Sequence, residues 1–198
     1  MANVDRPSGL TPVRHLNGMP WNGKARMYYV PVGNATALFV GDAVVSTGSS
    51  DATGKYAGIV AYVSGGGNIR GVVIGFSDQP YLAADTGDLY RNYLPISTEK
   101  YALVVDDPDV IFEIQEDNVG SDLDADDVGI CADIAVSAGD TANGKSGMEL
   151  DSSTADATTA AQLKILGVSN KEDNALGTNC KWDVLIVEHE LRSSTGVA

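Results

Sequence analysis

The sequence predicts an all-β fold: a small β-barrel or sandwich with an extended N-terminal arm and a second, acidic β-rich region. Three observations point there. β-prone runs recur with turn residues between them every eight to twelve positions or so. No long segment places apolar residues at the i, i+3, i+4, i+7 spacing of an amphipathic helix. Glycine is abundant, at 22 of 198 residues, in a chain that is 43% hydrophobic. That suits short strands joined by turns around a real core.

Taken in order, residues 1–24 read as an arm. Pro7, Pro12 and Pro20 alternate with Gly9, Gly18 and Gly23, and no helix survives that punctuation. The arm nevertheless carries Leu10, Val13, Leu16, Met19 and Trp21, which must be buried against its own body or a neighbouring subunit. Strands are expected at 27–32 (MYYVPV), 37–40, 43–46, 56–64 and 69–76 (IRGVVIGF). The run Gly65-Gly66-Gly67-Asn68 between the last two reads as the turn of a β-hairpin. Residues 77–99 form a long loop with Tyr81, Tyr90 and Tyr93, the kind of loop that is functional or braced by a partner. Strands at 101–105 and 110–115 follow, separated by Asp106-Asp107-Pro108-Asp109. These elements make up a barrel-like domain, 25–115.

The third segment, 116–198, is β-rich and acidic, with strands expected at 130–136, 148–150, 159–168 and 181–191. Polar stretches separate them, and 169–179 has room for one helical turn.

Charge divides along the chain. The formal net charge is −14, yet residues 1–100 hold eight Lys/Arg against seven Asp/Glu, while 101–198 hold five against twenty. Such acidity argues against nucleic-acid binding, which needs a positive footprint. No stretch reaches the roughly 20 apolar residues that span a bilayer as a helix. The first ten residues lack the apolar run of a signal peptide, so synthesis in the cytoplasm is expected. In that setting Cys131 and Cys180 are expected as free thiols.

Catalytic patterns are weak. Asp122, Asp124 and Asp126 begin like a calcium loop, but Asp127 stands where the sharp turn needs Gly, and no helices flank the run. A solvated acidic turn is the simpler reading. His15 and His189 accompany no G-x-S-x-G elbow, and the His and Cys spacing is not that of a zinc site. The expectation is therefore a non-enzyme without cofactor or metal. What remains is surface, and Tyr and Trp are the residue types most enriched where proteins meet.

The opening MANVDRPSGLTPVRHLNG, the runs YYVPVGNATALFVGDAV and VVDDPDVIFEIQEDNVG, and the closing KWDVLIVEHEL resemble small virion structural proteins of tailed bacteriophages. Residues 41–45 followed by 69–76 are similar to the small β-barrel of capsid decoration, or cement, proteins. The resemblance implies a structural protein on the outer surface of the icosahedral head, bound to the major capsid protein and bracing the shell against internal pressure. It implies a homo-oligomer, a trimer before a dimer. The arm would then supply capsid contacts through Arg6, Leu10, Val13, Arg14, Leu16, Trp21, Lys24 and Arg26. Tyr81, Tyr90 and Tyr93 would lie at the oligomer interface. On this reading, deleting 1–24 leaves a folded body that no longer binds. Alternatives are another virion component (head fibre, tail or adsorption protein, minor shell protein) or a metal- or carbohydrate-binding β module.

Overall fold

β-prone runs between turns become fourteen strands in the computed structural model, which describes residues 3–78 and 92–193. The chain is mostly β, with 40% strand and no helix of seven residues or more among the described residues. The strands are β1 Thr11–His15, β2 Arg26–Val30, β3 Leu38–Phe39, β4 Ala43–Ser50, β5 Ala57–Ala61, β6 Gly71–Ser77, β7 Tyr93–Leu94, β8 Lys100–Val105, β9 Val110–Gln115, β10 Cys131–Ala132, β11 Ile134–Ala135, β12 Glu149–Leu150, β13 Leu163–Val168 and β14 Lys181–Ile186.

Five of them close a barrel in the order β2-β5-β4-β6-β8. Side chains at alternate positions point inward, so Tyr28, Val30, Val44, Ile59, Val73, Ala102 and Val104 fill the interior. A second layer is the antiparallel sheet β1-β9-β14-β13-β10. Its Phe112, Ile114, Leu163, Ile165, Trp182 and Val184 pack against Ala43, Tyr62, Ile69, Val72 and Val105 from the barrel side. The sheet takes β1 from segment 1–24, β9 from 25–115 and the other three strands from 116–198. The layers are thus interleaved along the chain, and only the barrel falls within one segment.

The expected hairpin across Gly65–Asn68 does not form. β5 and β6 lie on opposite sides of β4, where Val44 pairs with Ala61 on one edge and Gly71 on the other. Tyr62 and Ile69, at the two ends of the connection, are buried in the core between the layers, which draws the strands apart. The 130–136 run is likewise two strands. It breaks at Asp133, β10 pairing with β13 and β11 with β12.

The N-terminal segment is built into the body rather than extended from it. Leu10 is 1% exposed and sits in the inter-layer core. Its N–H donates to the Gly41 carbonyl at 2.9 Å. The chain passes Gly41 so closely that a Cβ on Gly9 (φ 66°) would lie 2.3 Å from the Gly41 oxygen. β1 then pairs with β9, and Pro12, which has no N–H, is tolerated because β1 is an edge strand. Leu10 is therefore a core residue, and its assignment as a capsid contact is corrected.

Candidate binding surface

Beyond β1 the chain turns back on itself. The His15 N–H donates to the Met19 carbonyl at 2.8 Å, the Gly18 N–H to His15 at 2.9 Å, and the Trp21 N–H to Val13 at 3.3 Å. Asn17 Oδ1 accepts the Met19 N–H at 3.0 Å, and Gly18 takes the positive φ (86°) that such a turn requires. The result is a small hairpin whose return limb covers the outer edge of β1. It is tied to the Asp106–Asp109 turn by the Leu16 N–H on the Asp109 carbonyl at 2.7 Å. His15 Nδ1 also lies 3.4 Å from an Asp107 carboxylate oxygen.

The hairpin tip is apolar and open to solvent: Leu16 is 51% exposed, Met19 57% and Val13 38%. Between the tip and the Asp107–Asp109 turn runs a groove of about 600 Å³, lined by Leu16, Met19, His15 and Lys24. An adjoining concavity shares Lys24 and Asp107 and adds Arg26 and Leu191.

Of the residues expected to meet a capsid, the structure brings Leu16, Lys24 and Arg26 to this surface, with Val13 beside it. Trp21 is half-buried against the inter-layer core and donates its indole N–H to the Lys24 carbonyl at 3.3 Å. Arg14 is committed to Asp183, at 2.6 Å. Arg6 stands apart, beside Asn3, Asp173 and Lys181, and its N–H donates to Gln115 Oε1 at 3.0 Å. Tyr93 stacks on Phe39 with centroids 5.2 Å apart in the β3–β7 pair. Tyr81 and Tyr90 lie outside the described residues. The sequence reading missed the tip as a unit, with Met19 at its centre; the pair Asn17-Gly18, a strong hairpin signal, could have found it.

A buried polar network, also missed, lies behind the concavity. The Tyr28 hydroxyl donates to Asp106 at 2.6 Å and accepts from Arg70 Nε at 2.7 Å. Arg26 approaches the same carboxylate at 3.3 Å. Arg70 also faces Glu190 at 3.7 Å, whose carboxylate accepts the Ser46 N–H and hydroxyl at 2.8 and 2.6 Å. Burial, then Asp106, pushes the Tyr28 phenol up to about 12. His189 is buried, and its Nδ1 accepts the Leu191 N–H at 3.1 Å, so the ring proton sits on Nε2, which finds no partner among the described residues. Burial, with the Arg70 guanidinium nearby, pushes this imidazole down to about 4. The network fastens the chain after β14 to the barrel.

The acidic run is occupied with its own backbone. Asp124 accepts the Asp126 N–H and Asp127 accepts the Asp124 N–H, each at 2.8 Å, while Asp122 accepts the Thr178 hydroxyl at 2.7 Å. Among the described residues no group of three or more His, Cys, Asp or Glu side chains is placed to hold a metal ion. Cys131 and Cys180 are both free, and burial raises the Cys180 thiol to about 11. No helix among the described residues is long and apolar enough to cross a membrane. Compared with protein-family models, curated proteins and solved structures, the chain matches none.

Proposed function

We propose that this chain is a virion structural protein that decorates the outer surface of a tailed-phage capsid, acts as a homo-oligomer and docks through its N-terminal hairpin. One observation carries the reading beyond resemblance. An otherwise acidic molecule presents Val13, Leu16 and Met19 in the open, beside the exposed cations Lys24 and Arg26. Burying a side chain such as Leu16 or Met19 at an interface contributes about 1.5–3 kcal/mol. The two cations suit an acidic rim on the shell protein.

The test mixes purified protein with undecorated heads and measures occupancy by co-sedimentation. Leu16→Asp and Met19→Asp are expected to abolish decoration while the circular dichroism spectrum and melting temperature stay unchanged. Wild-type occupancy in the double variant removes the hairpin assignment. Labelling confined to tails removes the decoration reading in favour of a tail component.

A further inference from the structure

Asparagine stands before glycine three times among the described residues, at 17–18, 22–23 and 143–144. Asparagine is a chemically labile residue. It is most labile before glycine, where no Cβ shields the next backbone nitrogen from the carboxamide carbon. All three asparagines are exposed. All three also hold their side chains alike. Each Oδ1 accepts the N–H two residues on, from Met19 at 3.0 Å, from Lys24 at 3.1 Å and from Lys145 at 2.7 Å. Neither the dipeptide nor the side-chain geometry separates them.

The glycine nitrogen does. The Gly18 N–H is engaged with the His15 carbonyl at 2.9 Å, inside the hairpin turn. Gly144 is buried and donates to the Asp140 carbonyl at 2.7 Å. Asn143 is held further, its Nδ2 donating to the Asp140 carboxylate at 2.7 Å. The Gly23 N–H has no hydrogen-bond partner among the described residues, and a Cβ there would meet nothing within 4 Å. The fold explains the difference. Pairing along β1 ends at Trp21, whose N–H reaches Val13, and pairing in the barrel starts at Arg26. Residues 22–25 link the two layers outside any strand.

We propose that Asn22 is a site of spontaneous deamidation, and that the carboxylate it gains weakens docking at the hairpin groove. The Gly23 nitrogen gives up its proton to solvent and attacks Asn22 Cγ. The new C–N bond closes a succinimide ring, and the carboxamide nitrogen takes a proton from solvent and leaves as ammonia. Water then opens the ring at either carbonyl, leaving aspartate or isoaspartate. Water is the only co-reactant, and nothing is oxidised or reduced. Asn22 lines the groove together with Met19 and Lys24. Lys24 is one of the cations offered to an acidic rim, and a carboxylate two positions away offsets it. This consequence rests on the docking surface proposed above; the chemistry at Asn22 does not.

The full chain is aged at mildly alkaline pH, folded and in urea, and then cut with trypsin. Residues 15–24 leave as one peptide carrying both Asn17 and Asn22. Tandem mass spectrometry assigns the gain of about 1 Da to one or the other. In the folded chain Asn22 should react at least about fivefold faster than Asn17 or Asn143, each of which must first release a backbone hydrogen bond. In urea the three rates should agree within about twofold. Equal rates in the folded chain, an earlier gain at Asn17 or Asn143, or the same preference in urea would each overturn the assignment. Docking is read separately, with Asn22→Asp and undecorated heads. Occupancy should fall at least about threefold, and wild-type occupancy overturns the effect on docking. If the wild-type protein does not bind heads, the docking surface falls and this consequence with it, while the mass measurement still decides Asn22.

Discussion

Leu10 and Leu16 belong to the same short N-terminal segment and meet opposite fates. Leu10 is 1% exposed in the inter-layer core; Leu16 is 51% exposed at the hairpin tip. Between them the chain runs beside β9, with Thr11 opposite Glu113 and His15 opposite Val110. The root is held by sheet pairing and by the close passage of Gly9 past Gly41. The tip begins where pairing ends, at the Asn17-Gly18 turn. Apolar residues in an arm show that something must cover them. Register against a sheet decides whether that cover is the protein itself or a partner.

The contrast can be broken from the root outward. Leu10→Ala should cost about 2–5 kcal/mol, the range for a buried leucine whose cavity cannot fully collapse. Urea unfolding measures this, and a loss below about 1 kcal/mol would mean the root is not core. Deleting 1–24 should therefore unfold the protein rather than leave a competent body, so truncation cannot test docking.

Next in size is the titration of Asp42, adjacent to Gly41 at the root. Burial raises its carboxyl to about 6, against hydrogen bonds from Ser146 and the Phe39 N–H. The folded value lies above the unfolded one, so the folded state holds the proton more tightly. Its stabilising contribution is full below about pH 4 and is lost as pH rises through about 6, amounting to roughly 2–3 kcal/mol over the window. Asp42→Asn should flatten this part of the stability–pH profile. His189 has the opposite sign: with its value lowered to about 4, stability falls as pH drops from about 6.5 toward 4. The difference between variant and wild type isolates Asp42.

A smaller effect is expected at Arg14, midway between root and tip. Its partner Asp183 is 5% exposed, and one carboxylate oxygen has no hydrogen-bond partner among the described residues. Arg14→Ala strands that charge, and because Arg14 is itself partly exposed the loss should be about 1–2 kcal/mol by thermal unfolding. The least effect on stability belongs to the tip. Leu16→Ser and Met19→Ser should each change stability by less than about 0.5 kcal/mol. A larger loss would show that the tip, like the root, is covered by the chain itself.

Much of the fold was legible. The β-prone runs IRGVVIGF, VIFEIQ and KWDVLIVEHEL mark strands that exist, with ends shifted by a few residues. Gly65–Asn68 marked a turn correctly but not a reversal: β5 and β6 both run antiparallel to β4, hence parallel to each other, because Tyr62 and Ile69 are claimed by the other layer. Less of the candidate surface could be seen. Leu16, Lys24 and Arg26 come to one surface, Leu10 does not, and Arg14 is held by Asp183, 169 positions away along the chain. The adjacent tyrosines 28 and 29 look alike in sequence. Barrel closure sends one to the interior beside Asp106 and the other to the barrel exterior.

By itself, then, the sequence determined the all-β class, the positions of most turns and the polarity of charge along the chain. These follow from runs of β-prone residues and from the backbone freedom of glycine, both local properties. The tertiary structure alone decided which strands are neighbours, that the arm is rooted in the body, and which apolar side chains stay in the open. Strand pairing is a contact between distant segments, and its choice depends on the total burial of both layers rather than on any one of them.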